Sequence, residues 1–308
     1  MLEHPSLLGP LIGNDVANIF FHLKNFSSVK SLFWDTTLQS YEVHFGKEGK
    51  SFIERIIMEI PSLLTKQDPD NLQSYLNVCR DVGAQIRSLR TKRRDKTSSL
   101  SRTIKLVGDQ YFNGHVVDLG ADLNQLGQKL VEGNSSVTKV TGVDLEHRDG
   151  VFQNSAVRFY LQSNAHSIPI ETCYADTVVS RYAFHHMSFK EQVELTKEGF
   201  RILRNKGIFI LIEDSFSVSD LPLCTNDLTH RFQTLDTVEK IWFLSFMDAS
   251  SCFLFSEVMP FNFTFRSIED WEKIFNQAGF STVSKKYWGM TYFSLFLAPT
   301  GILVFKKN

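Results

Sequence analysis

The 308-residue sequence predicts an α/β protein in two parts, an N-terminal helical domain over 1–100 and a doubly wound parallel-sheet domain over 101–308. Three observations carry this. From residue 114 short apolar runs alternate with amphipathic stretches, the pattern of β-α-β units whose sheet is covered on both faces. Two of those runs reach an acid, "HVVDLG" at Asp118 and "VTGVDLE" at Asp144, as strands do where their carboxyl ends face a ligand. Before residue 100 the alternation is absent, and apolar residues recur at three- and four-residue spacings.

The elements follow in order. "ANIFFHLKNFSSVKSLFWDTTLQSYEVHF" and "KSFIERIIMEIPSLL" read as helices packed by one face. "NLQSYLNVCRDVGAQIRSLRTKRRDK" is a further amphipathic helix running into a basic stretch, and "DKTSSLSR" (95–102) reads as a polar linker. "HVVDLG" is the first strand, "DLNQLGQKLVEG" a helix ending at Gly133, and "VTKVTGVDLE" the second strand. "RFYLQSNA" and "ADTVVSRYAF" give the third and fourth strands. "SFKEQVELTKEGFRILRNK" is a helix stopped by Gly207, and "GIFILIED" the fifth strand. "SIEDWEKIFNQAGF" carries its own boundaries: Ser267 as N-cap with Asp270 three residues on, and Gly279 at the C-terminal end. Between the last two lies an aromatic-rich connection, 215–265, long enough to suggest a substrate-covering insertion.

Composition narrows the class. With 43% hydrophobic residues, 22% charged residues and a net charge of −1, nothing draws the chain to nucleic acid or an anionic membrane. Four scattered cysteines (Cys79, Cys173, Cys224, Cys252) lack metal-ligand spacing and read as free thiols in a reducing compartment. The beginning, "MLEHPSLLGPLIGND", has no basic region of the secretory type, and no apolar run reaches a membrane span, so a cytoplasmic protein is expected. The basic run 87–96 holds six cations against one acid and reads as a solvated helix end, with RNA phosphate as the other reading.

The loop "VVDLGADLNQLGQ" is unsuited to a dinucleotide. Such loops use several glycines so that backbone N–H groups close on a pyrophosphate. Here Gly120 stands alone, and Asp118 and Asp122 would repel phosphate. A cationic, phosphate-free nucleoside fits instead, and S-adenosylmethionine has that constitution: a sulfonium, an ammonium and no phosphate. Asp144, 24 residues beyond Gly120, stands where a carboxylate can accept from both ribose hydroxyls.

Taken in series, "VVDLGAD", "VTGVDLE", "NAHSIPIETCYADTVVSRYAFHHM", "EGFRILRNKGIFILIED" and "WEKIFNQAGF" resemble class I S-adenosylmethionine-dependent methyltransferases over about 112–308. The likeness is greatest to the small-molecule branch that includes ubiquinone/menaquinone-type enzymes. It implies a Rossmann-like, seven-stranded sheet. The first motif departs from the usual Asp-x-Gly-x-Gly-x-Gly, "Ser163-Asn164-Ala165" replaces an acid followed by alanine, and "RNKGIF" replaces a Lys-Pro-Gly-Gly turn. By the resemblance, Asp118, Leu119, Gly120 and Ala121 line the methionine end of the cofactor, and Asp144 with Leu145 its ribose. Asn164 and Ala165 meet the adenine, and Arg181 lies by the methionine end.

Methyl transfer needs alignment and, for some acceptors, proton removal. His185 and His186 follow the fourth strand and are the candidate bases, with a structural role open for each. Tyr182, Asp214, His230 and Arg231 are the candidate substrate contacts. "SRYA" is not the Asn-Pro-Pro-Tyr of amino-methylating nucleic-acid enzymes, and no cysteine stands as a nucleophile at the site. The expected function is methylation of O, N or C of a small, specialised metabolite. An RNA- or protein-directed methyltransferase and a degenerate cofactor-binding domain stay open. The N-terminal helices are expected to cover the substrate entrance or to join two copies as a homodimer.

Overall fold

The computed structural model describes residues 26–65, 84–85, 99–147, 149–164, 167–218, 226–255, 264–290 and 298–308. The basic run 87–96, Ala165, and parts of the third predicted helix and of the 215–265 connection lie outside the described residues. The chain forms two compact units. The first takes its described residues from Met1–Lys96, Cys224–Phe265 and Met290–Pro299, the second from Thr97–Leu223, Arg266–Gly289 and Thr300–Asn308. Thus the long connection groups with the N-terminal helices.

In the first unit, α1 (Ser27–Thr65) joins the first two predicted helices through a kink at Gly46. There φ is 76°, a conformation glycine adopts without the clash a Cβ would bring. The connection supplies two more helices, here α5 (Asp227–Thr234) and α6 (Thr237–Phe255). Asn226 caps α5, its Oδ1 accepting from Thr229 N–H at 2.8 Å. Asp236 and Glu239 exchange backbone N–H bonds at 2.8 and 3.1 Å to start α6. Phe232, Trp242, Phe243 and Phe246 are each 3% exposed or less; Phe26, just before α1, packs on Trp242, and Phe33 of α1 on Phe246. These aromatic residues, which the sequence offered as a substrate wall, form the core of the helical unit.

The second unit is built on a seven-stranded sheet in the order β3-β2-β1-β4-β5-β7-β6. The strands are β1 (Gly114–Leu119), β2 (Val137–Asp144), β3 (Val157–Leu161), β4 (Ala175–Arg181), β5 (Leu203–Asp214), β6 (Phe280–Met290) and β7 (Pro299–Lys307). Strands β1 to β5 pair in parallel, whereas β7 runs antiparallel to β5, with Ile210 opposite Val304. The sheet is therefore mixed. Its middle strands read as unbroken apolar runs because both faces are covered. Val116, Val179, Ile210 and Val304 form one core with Leu126 and Leu130 of α3 (Gln125–Gly133) and Leu100 of α2 (Ser99–Val107). Part of the predicted linker is thus the first turn of α2.

Helix α4 (Phe189–Ile202) opens with a reciprocal capping box of Ser188 and Glu191, and α7 (Ile268–Gln277) with the Ser267 cap read from sequence. Gly279 follows α7 at φ 102°, the left-handed turn expected of it. Helix α4 ends four residues before Lys206, which takes φ 66° in place of a glycine. Lys307 Nζ donates to the carbonyls of Phe200 and Leu203 at 2.6 and 2.7 Å, so a cation from β7 closes the helix. The carboxyl ends of β1, β2, β4 and β5 form one rim, where the predicted site residues of this unit gather.

Candidate active site at the carboxyl rim of the sheet

The loop after β1 has a glycine-like backbone without the glycines. Gly120 itself has φ 75°, and a Cβ there would stand 2.6 Å from the Ala183 Cβ, so β1 and the loop after β4 meet only because position 120 is bare. Asp122 and Asn124, where the resembled motif has glycine, adopt φ 49° and φ 57°. Aspartate and asparagine tolerate this region better than other side chains. Asn124 is fully buried, and its Nδ2 donates to the carbonyls of Phe152 and Arg158 at 3.1 and 3.0 Å. Gly127 and Gly142 make room for it: a Cβ on either would lie 2.7 Å from Asn124 Oδ1. The carbonyl of Val143 accepts from the N–H groups of Gly120 and Ala121, so the loop folds over the end of β2. Asp144 fixes the next turn, its Oδ2 accepting from Asp122 N–H at 2.8 Å and its Oδ1 from Glu146 N–H at 3.2 Å.

Asp118 is the unusual group. It is 3% exposed, and among the described residues nothing donates a hydrogen bond to its carboxylate. Burial pushes its carboxyl up to about 7; Arg181 opposes the rise, and Asp144 and Asp122 add to it. A desolvated carboxylate without a donor, beside a bare glycine, suits a ligand that brings an ammonium and no phosphate. The residues present fit S-adenosylmethionine on that ground.

The loop after β4 is fixed from β5. Glu213 is fully buried; its Oε1 accepts from the N–H groups of Ala183 and Phe184, both at 2.8 Å, and its Oε2 lies 2.6 Å from His185 Nδ1. Gln192 of α4 adds a bond from Nε2 to the Phe184 carbonyl at 2.9 Å. The Phe184 ring packs edge-on against Phe209 and Trp271. His185 is therefore buried with Glu213 at its Nδ1, and half-buried His186 lies beside it with ring centroids 4.1 Å apart. Tyr182, at φ 54°, donates its backbone N–H to the Ile212 carbonyl, and its hydroxyl is 3.3 Å from Thr300 Oγ1. Burial, then the charge of Asp214, pushes the Tyr182 phenol up to about 12.

The rim thus brings together Asp118, Leu119, Gly120, Ala121, Asp144 and Leu145 with Arg181, Tyr182, His185, His186 and Asp214. Leu119 and Ala121 are buried, and Leu145 is exposed. Asn164 is half-buried beyond β3, its Nδ2 3.4 Å from Ser163 Oγ. His230 and Arg231 belong to α5 of the helical unit. His230 is exposed there, and Arg231 is bound to Asp35 at 2.8 Å and to Ser31 at 3.1 Å. The roles of two residues escaped the sequence reading. Glu213 was placed with Asp214 at the mouth of the site, as a possible substrate contact and not as the group that orders the β4 loop; Gln162 was not singled out, and it is 7% exposed, with no acceptor for its Nε2 among the described residues.

Residues 118–211 match the family model described as a methyltransferase domain. No curated protein sequence matches the chain. Similar solved structures include the protein complexed with the Haloferax volcanii Trm112 methyltransferase activator, at 13% identity and TM-score 0.48, covering 76% of this chain and 97% of that one. The 1,6-didemethyltoxoflavin-N1-methyltransferase of Burkholderia thailandensis aligns at 14% identity and TM-score 0.46, over 77% of this chain and 90% of that one. An S-adenosylmethionine-dependent methyltransferase from Mesorhizobium loti aligns at 10% identity and TM-score 0.45, over 68% and 98%. The matched segment runs from the end of β1 into β5 and so carries the loops of the carboxyl rim.

Proposed function

We propose that the chain is an S-adenosylmethionine-dependent methyltransferase acting on a small, specialised metabolite, with the cofactor held at the β1–β2–β4 rim. The observation that carries the cofactor placement is Asp118, buried beside a bare Gly120 and without a donor among the described residues. In this reading Asp118 receives the ammonium, and Asp144 the ribose hydroxyls through its remaining lone pairs. Leu145 lies by the ribose and Asn164 faces the adenine, and Arg181 favours the ionised form of Asp118. The left-handed backbone at Asp122 and Asn124 speaks against a degenerate loop, because the glycine conformation persists where glycine does not.

The cofactor supplies a methyl group on a sulfonium, already activated for displacement. The chain's part is to align the acceptor and take up its proton. Of the two histidines, Glu213 favours His185, because a carboxylate at Nδ1 stabilises the imidazolium that proton uptake produces. His186, Tyr182 and Asp214 are half-buried, so an acceptor meeting them enters the rim as a compact molecule. A balance of 33 basic against 34 acidic residues offers no general attraction to RNA.

Calorimetry with S-adenosylmethionine and its demethylated product is the test of the cofactor site. Asp118→Asn and Asp144→Ala should each weaken binding at least about tenfold without unfolding; no binding at millimolar cofactor sinks the reading. Incubating the protein with methyl-labelled cofactor and a cell extract tests the acceptor. Label in the acid-soluble, low-mass fraction is expected, and label confined to precipitated RNA or protein would overturn the small-molecule assignment.

A further inference from the structure

Arg266 lies immediately before the α7 cap and is fixed at both ends. Its carbonyl accepts from Ser215 Oγ at 2.6 Å, one residue past the end of β5, which holds it at the carboxyl rim. Its side chain donates from Nε to Gln192 Oε1 at 2.6 Å. Gln192 is fully buried and also bonds the Phe184 carbonyl, so Arg266 is wired to the loop that carries His185 and His186. The guanidinium lies over the Phe189 ring at 4.4 Å and near the Trp271 ring at 5.6 Å, which fixes its plane.

Among the described residues no anion is in contact with the group. Nε uses one of the five N–H donors of a guanidinium, and four remain on the two terminal nitrogens. Among the described residues those nitrogens have neither a hydrogen bond nor an ion pair. Arg266 is half-buried, and burial lowers its pKa, with Asp270 opposing from beyond ion-pair distance. The neighbouring carboxylates are engaged in the helix starts: Glu191 with Ser188 N–H, Asp270 with Ser267 Oγ, and Glu269 with Ser217 Oγ. Other arginines of this unit are compensated, Arg201 by Glu198, Arg204 by Asp176 and Arg181 by the nearby Asp118.

We propose that Arg266 is an oxyanion anchor, and that the methyl acceptor carries a carboxylate or phosphate gripped by its two terminal nitrogens. The identity of the anion's bearer rests on the methyl-transfer reading; the anion site itself does not. A flat, pre-oriented fork matches two oxygens of one group, which a flexible ammonium cannot do.

The test uses the full chain, with inorganic phosphate and benzoate as probes followed by calorimetry, and S-adenosylmethionine titrated separately. One probe is expected to bind in the millimolar range, and the tighter of the two tells phosphate from carboxylate. Arg266→Gln should weaken that probe at least tenfold while the affinity for S-adenosylmethionine stays within twofold. Arg266→Lys retains charge and fold, yet should recover less than half of the lost affinity on a logarithmic scale. No binding of either probe at 50 mM (about the weakest limit a specific ion pair would show), or equal binding by wild type and Arg266→Gln, overturns the anchor. Probe binding by a protein that ignores S-adenosylmethionine leaves the anchor standing and refutes the cofactor reading instead.

Discussion

A left-handed backbone position costs asparagine and aspartate less than other side chains, and the two in the β1 loop use that tolerance differently. Asp122 is exposed and contributes its backbone N–H to Asp144, a bond that glycine would keep. Asp122→Gly should change stability by no more than about 1 kcal/mol. Asn124 is buried and ties two carbonyls; Asn124→Ala should cost about 2–4 kcal/mol through two stranded acceptors and a strained backbone. Urea unfolding of both variants checks the contrast. Asp118 adds a pH signature. Its folded carboxyl titrates near 7 and its unfolded one near 3.8, so the folded state holds the extra proton between those values. Stability should therefore fall as pH rises from 4 to 7, the reverse of a salt-bridged aspartate. Asp118→Asn should flatten that slope, as unfolding curves at pH 5 and 8 would reveal. Asp118, Gly120 and Asp144 were legible because strand-end acids and a close-approach glycine are local signals. Gln162 and Arg266 were not, since their meaning lies in what surrounds them in space.

At the scale of elements, partners far away in sequence decide the boundaries. The periodic pattern of α4 continues through "RILRNK", yet the helix stops at Ile202 because Lys307, more than a hundred residues on, occupies its last carbonyls. No window of sequence around the helix contains that information. The loop after β4 is similar. Its histidines are visible in the sequence, but the buried carboxylate that orders them arrives from β5. Glu213→Ala should cost about 3–5 kcal/mol, since two amide donors and an imidazole lose their acceptor together. Hydrogen exchange at Ala183 and Phe184 should accelerate more than at β1, and equal acceleration throughout would refute a local role. By contrast, the α7 cap at Ser267 was readable because a capping box is written within four residues.

For the molecule as a whole, the sheet order and the helical N-terminal part follow from alternation and its absence, while the grouping of helices does not. Sequence assigned α5 and α6 to an insertion of the sheet domain; their aromatic residues instead complete a core begun by α1. Apolar burial is non-directional, and a run such as "IWFLSF" does not state which partner covers it. Deleting residues 1–96 should therefore bare Phe243, Phe246 and Trp242 and yield insoluble protein. A soluble truncation with full cofactor affinity would count against that core.

The backbone alternates between the two units in six segments. Neither unit is a contiguous cassette, so recombination at a single junction cannot transplant one onto another scaffold. A change of ligand preference would have to proceed by point substitution or loop exchange, with both units inherited together.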